Sequence, residues 1–231
     1  MWIDLVRTPL FGVGLTLLVF FLAQRLYQKT GSILFNPVAV AIAAIIALLQ
    51  LCGISYQDYS RGGDLLLFLL GPSVVALGLP LYQRRREILA RKLPILAGVA
   101  AGALTSIVTA SGLAWLLGGS REVIWSFAPK SVTTPIAIGI AEKVGGLPPL
   151  TAAIVVITGC LGAICGPEFC RLIGLRQQAA IGLAVGTSAH GIGTARMLEV
   201  DRLGGAVAGL AIGLNGLITA FLVPLVYLLF R

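Results

Sequence analysis

Gly186-Thr187-Ser188-Ala189-His190-Gly191-Ile192-Gly193-Thr194-Ala195-Arg196 is the stretch that decides how this chain folds. It sets hydroxyls, the single histidine, a cation and helix-breaking glycines inside sequence that is otherwise apolar. A second stretch, Pro129-Lys130-Ser131-Val132-Thr133-Thr134-Pro135, does the same. Broken backbone at membrane depth survives only where protein buries it or where it lines a wet cavity, because each unpaired N–H or C=O costs several kcal/mol in lipid. Both stretches are therefore expected inside the protein.

The surrounding sequence is that of a membrane protein. Of 231 residues, 58% are hydrophobic and 11% charged, and the mean hydropathy is +0.98. Apolar runs near 9–27, 33–52, 64–82, 94–117, 149–170 and 204–230 each approach the ~20 residues that cross a hydrocarbon core. The expectation is an all-α polytopic membrane protein with about six full transmembrane helices. Two broken or re-entrant helical hairpins, at about 123–145 and 177–200, complete it. No small-x-small cleavage site follows Leu22-Ala23-Gln24-Arg25, so the first run is read as a retained span.

Charge sets the orientation. Arg84, Arg85, Arg86, Arg91 and Lys92 make the loop 83–92 cytoplasmic by the positive-inside rule and put the N-terminus outside. Re-entrant hairpins would bring Arg171 and Arg176 to the cytoplasmic side with Arg202 and leave only Lys143 outside, which the same rule mildly favours. The net charge of +8 lies in short loops rather than on a soluble basic face, so a nucleic-acid partner is not expected. Cys160, Cys165 and Cys170 recur every five residues and match no CxxC spacing, and Cys52 stands alone, so inert thiols are expected and no metal site.

A weak internal repeat runs through the second half. A shift of 57 relates Ser131 to Ser188, Glu142 to Glu199, Gly159 to Gly216, Ala163 to Ala220 and Pro167 to Pro224. Each unit would be one broken segment and the following span, 123–174 and 177–231, within a single membrane domain over 1–231 whose residues 1–122 form scaffold-like spans. With re-entrant segments the copies insert in opposite senses, the inverted-repeat plan of secondary transporters.

Half-helices that begin inside the membrane aim free N–H groups and a positive dipole end at whatever fills the break. The candidate binding residues follow. Lys130 and Arg196 supply cations. Ser131, Thr133, Thr134, Ser188 and Thr194 supply hydroxyls, His190 a proton carrier, Gly191 an open backbone and Asn215 an amide in the last span. Bland alternatives stand beside each: Lys130 and Arg196 snorkelling, the Ser/Thr residues capping half-helices, His190 as a structural hydrogen-bonder, Asn215 tying two helices. Glu142 and Glu199 read better as interfacial ion pairs with Lys143 and Arg202 than as a proton relay, and Glu168, after Gly166-Pro167, is a weaker candidate. No catalytic residue and no cofactor are expected, because Ser188 and His190, two apart on a helix, face different ways and no carboxylate orients them.

The two motifs, with Leu70-Gly71-Pro72-Ser73-Val74-Val75-Ala76-Leu77 and Pro80-Leu81-Tyr82, resemble the LrgB/CidB family of bacterial inner-membrane proteins over nearly the whole chain. The resemblance implies a small LrgA/CidA-type membrane partner, and kinship with the plastid glycolate/glycerate transporter of plants, in which both parts are fused. It also implies two accounts of function. One is carriage of a small carboxylate resembling pyruvate, glycolate or glycerate by alternating access. The other is holin- or antiholin-like regulation of murein hydrolase export and lysis. Expected partners are thus the lipid bilayer, a small carboxylate, the small membrane protein and a second copy of the chain in a homodimer.

Overall fold

The computed structural model describes residue 6 and residues 8–32, 35–76 and 78–229, and among these every regular element is a helix. The chain divides into two compact units, residues 1–77 and 78–231.

The first unit holds α1 (Pro9–Thr30), α2 (Pro37–Leu51) and α3 (Tyr56–Ala76). Pro9 and Pro37 open their helices where a missing N–H costs nothing. Asn36 caps α2, its Oδ1 accepting from the N–H groups of Val38 at 3.0 Å and Ala39 at 3.1 Å. α1 crosses α3 at two glycines: a Cβ on Gly62 would lie 2.5 Å from the Pro9 carbonyl oxygen and 2.7 Å from the Gly12 Cα. Beside the crossing, Thr16 Oγ1 and the Tyr59 hydroxyl share a hydrogen bond of 2.7 Å.

The second unit holds α4 (Gly78–Gln83), α5 (Arg85–Leu89), α6 (Lys92–Leu116), α7 (Arg121–Phe127), α8 (Thr134–Val144), α9 (Pro148–Leu172), α10 (Gln178–Val200) and α11 (Arg202–Leu229). α6, expected among the scaffold spans of 1–122, packs against α10 and α11 here. Among the described residues four helices are long and apolar enough to cross a membrane: α1, α6, α9 and α11. The count falls short of six for local reasons. The run 33–52 yields a helix of only 15 residues, because Asn36-Pro37 starts it late and Gly53, at φ +64°, follows its end. The run 64–82 is shared between α3, which begins at Tyr56 and carries Asp58 and Arg61 in its first turns, and α4. Ile33, Leu34 and Leu77 lie outside the described residues.

The first broken segment goes in and comes back. The buried Ser126 hydroxyl accepts from the Leu147 N–H at 2.7 Å, and Thr151 Oγ1 donates to the Ser126 carbonyl at 3.1 Å. The chain therefore leaves and returns at one level, beside the N-terminal end of α9. Its inward limb is a run of turns, with the Lys130 N–H on Phe127 O and the Val132 N–H on Pro129 O. Its outward limb is α8, 11 residues and about 16 Å long. Pro135 sets the start of α8 and Gly145, at φ +74°, its end. The tip reaches the middle of α6, where Ser131 Oγ meets Ser106 Oγ at 2.6 Å.

The second segment, α10, doubles back at His190, whose φ of +42° and ψ of −134° interrupt the helix. Residues eight apart on a continuous helix are about 12 Å apart. Here a Cβ on Gly193 would lie 2.8 Å from Val185 Cγ1 and 3.3 Å from its carbonyl oxygen. Both ends of α10 reach Gly204, where a Cβ would meet Met197 Cε at 2.6 Å and the Gln178 carbonyl oxygen at 2.9 Å. Ile181 and Met197 cluster with Cys170, so this base lies at the C-terminal end of α9. The two tips thus approach each other from opposite ends of α9. α10 lies on α11 through small residues: a Cβ on Gly186 would come 2.5 Å from the Ala208 carbonyl oxygen.

Candidate functional site at the hairpin tips

The residues that break the helices meet near the middle of the second unit. The Asn215 amide, 1% exposed in the centre of α11, donates to the carbonyl of Ser131 at 3.0 Å and to that of Thr187 at 2.9 Å. One side chain thereby joins the first tip to the last turn before the second break.

A cavity of about 540 Å³ opens beside this junction, within the roughly 300–1,000 Å³ range of small-molecule sites. Its polar lining is Thr105 and Ser106 of α6, Lys130 of the first tip, and Thr187 and Ser188 of α10. α6 comes this close because two of its residues carry no side chain. A Cβ on Gly98 would lie 2.6 Å from Leu183 Cδ2, and one on Gly102 2.8 Å from Thr187 Cγ2.

Lys130 Nζ donates to Ser131 Oγ at 3.2 Å, and among the described residues no carboxylate pairs with it. Thr187, 5% exposed, has a buried hydroxyl without a hydrogen-bond partner. Thr187 therefore lines the cavity beside Lys130 while its hydroxyl oxygen stays buried behind the surface. Ser188 also lines it, but its hydroxyl donates back to the Ala184 carbonyl at 2.8 Å.

The other candidate residues fall elsewhere. Thr133 caps α8 through its backbone geometry without a side-chain cap bond, and Thr134 begins that helix; neither lines the cavity. His190 is buried with Nε2 2.9 Å from the Val155 carbonyl oxygen, so Nε2 carries the proton and the ring braces the second tip against α9. Gly191 leaves open space where a Cβ would stand. Thr194 is buried with its hydroxyl unpartnered, away from the cavity lining. Arg196 does not line the cavity; its guanidinium lies 3.2 Å from Glu199 and 3.6 Å from Glu168. Glu199, expected to pair with Arg202, pairs with Arg196 instead.

Ser106, Thr105 and Thr187 are functional candidates absent from the expected set. The available signal was weak: Thr105-Ser106 follows Gly102 inside an apolar run, and Thr187 stands next to Ser188 in the motif. Among the described residues no three His, Cys, Asp or Glu side chains converge as metal ligands.

The LrgB-like family model matches residues 16–229. The chain belongs to this family. A Haemophilus influenzae protein is 35% identical over 213 residues, 92% of each chain. Bacillus subtilis YwbG is 34% identical over 91% of this chain and 93% of its own. The holin-like protein CidB of Staphylococcus epidermidis is 32% identical over 94% of each. No solved structure matches. Membership and the apolar helices together make this a bacterial membrane protein of the LrgB family, related to holin-like proteins.

Proposed function

We propose that this chain carries a small carboxylate across the bacterial inner membrane, through a site formed where two re-entrant hairpins meet. One observation carries the reading: the Lys130 ammonium stands in the cavity between the tips with no carboxylate among the described residues to balance it. A half-buried cation at membrane depth without a counter-charge is costly, and an anionic ligand would supply the missing charge. A charge-assisted bond from Lys130 would hold the carboxylate beside Ser106 of the lining, and the partner-free Thr187 hydroxyl would rotate toward the cavity to meet a neighbouring hydroxyl or keto oxygen. The hairpin bases adjoin opposite ends of α9, as an inverted-repeat carrier would require, and this supports the reading. Alternating access is then rearrangement about a site at mid-depth. The proposed role is binding rather than catalysis, and Ser188 Oγ and His190 Nε2 each donate to a backbone carbonyl.

The test is uptake of labelled pyruvate, glycolate and glycerate into proteoliposomes. Losing a hydrogen bond to a charged group costs about 1.5–3 kcal/mol, so Lys130→Ala should raise KM roughly ten- to hundredfold. Unchanged uptake by Lys130→Ala overturns the assignment.

The second reading, regulation of murein hydrolase export together with a small LrgA/CidA-type protein, is favoured by the name of the Staphylococcus epidermidis relative. Loss of hydrolase release on deletion that abundant external carboxylate does not restore would support it. A homodimer is compatible with both.

A further inference from the structure

Asn215 has spent its polar capacity on the protein. Both of its amide protons are given to carbonyls, of Ser131 at 3.0 Å and Thr187 at 2.9 Å, and its Oδ1 faces the Thr219 hydroxyl at 3.4 Å. It is 1% exposed and does not line the cavity, although it stands in the candidate binding set. The two carbonyls lie where regular helix gives way. Ser131 lies in the turn at the first tip. Thr187 lies in the last turn before the interruption at His190, where intrahelical partners run out. Ser131 adjoins Lys130, and Lys130 and Thr187 both line the cavity, so the two bonds end on backbone beside it from each hairpin.

We infer that Asn215 is a positioning residue, whose amide clamps Ser131 and Thr187 so that the two tips keep a fixed span across the cavity and move as one body. The clamp rests on the carrier reading only in its purpose, because the span it sets is the one a bound carboxylate would bridge. A hydroxyl or an aliphatic side chain at this position cannot make both bonds. Leucine keeps most of the volume and loses both donors. Serine keeps one donor on a stem too short to reach both carbonyls.

The clamp is tested without transport. Ser106 Oγ and Ser131 Oγ are 2.6 Å apart, so Ser106→Cys with Ser131→Cys, in a chain whose four native cysteines are replaced, reports where the first tip sits against α6. Disulfide formation under mild oxidation is followed by mass spectrometry, in preparations that elute as a single folded species. Asn215→Leu should slow the bond at least about fivefold, the factor one net hydrogen bond is worth. If that variant does not fold, Asn215→Ser takes its place. An unchanged rate overturns the clamp. In parallel, labelled pyruvate and glycolate uptake is measured for Asn215→Ser with the native serines present. A raised KM with a slowed disulfide supports positioning, and a raised KM with an unchanged disulfide overturns it in favour of direct ligand contact. Should the unsubstituted protein take up neither acid, the carrier reading fails while the disulfide rate still decides the clamp.

Discussion

Gly159→Ala probes the packing that holds the second tip, and its cost can be worked from three distances. The added Cβ would lie 2.7 Å from His190 Cε1, 2.9 Å from its Nε2 and 2.8 Å from Ile192 Cδ1. Ile192 can swing aside, but the imidazole cannot, because Nε2 is held 2.9 Å from the Val155 carbonyl oxygen. Overpacking of this kind costs about 1–3 kcal/mol, and a ring driven off its acceptor forfeits about 1 kcal/mol more. His190→Gly removes the ring together with the obstruction. It loses the hydrogen bond but relieves a φ of +42°, which costs a residue with a side chain about 1–2 kcal/mol. The single His190→Gly change should therefore be mild. In that background Gly159→Ala should be neutral or stabilising, since alanine is favoured over glycine in a helix by about 0.8–1 kcal/mol. Equilibrium unfolding in mixed micelles of the parent, both single variants and the double variant measures the coupling, expected near 2 kcal/mol. If Gly159→Ala costs the same with and without the imidazole, the ring does not occupy the space that this glycine leaves.

Ser126→Ala should destabilise by about 1–3 kcal/mol in the same unfolding assay, because it leaves the Leu147 N–H without its buried acceptor; hydrogen exchange at Leu147 should rise with it. Thr187→Val should leave stability within about 0.5 kcal/mol, since the hydroxyl has no partner in the protein, yet raise the KM for carboxylate uptake about fivefold. An unaltered KM at unaltered stability would remove Thr187 from the site. Gly216→Ala should cost under about 1 kcal/mol, less than Gly159→Ala, because its Cβ would meet only Ile136 Cδ1, the far end of a flexible chain, at 2.9 Å.

The breaks were legible because the breakers there cluster with hydroxyls and a cation, whereas Pro167 and Pro224, without hydroxyl neighbours, lie inside α9 and α11. Pro129-Lys130-Ser131 and His190-Gly191 mark the tips to within a residue. What surrounds the tips was not. A serine or threonine in a membrane helix can satisfy itself on its own backbone, as Thr109 does on the Thr105 carbonyl. Ser106, which instead reaches Ser131 across 25 residues, therefore gives no sign in its spacing. The acceptor that fixes His190 is a backbone carbonyl, which no residue type announces. The Arg196–Glu168 pair joins two helices across 28 positions, a contact that no local spacing announces. Hydropathy also counts apolar residues without regard to caps, so the run 33–52 looked long enough to span although Asn36 begins its helix late.

The weak repeat gains physical content from two of its five identities. Gly159 and Gly216, related by the shift of 57, occupy the middles of α9 and α11. Each faces a side chain from the hairpin that belongs to the other unit: Gly159 receives His190 and Ile192 of α10, and Gly216 receives Ile136 of α8. Pro167 and Pro224, related by the same shift, both lie inside these helices. A glycine kept at mid-helix gives up helix propensity, so its retention at both places calls for a packing reason. Reciprocal seating of each tip against the other unit's helix is one. It seats each hairpin beside the other, with Lys130 and Thr187 both lining the cavity. On the proposed carrier reading, the counter-charge for Lys130 is the carboxylate that enters this space.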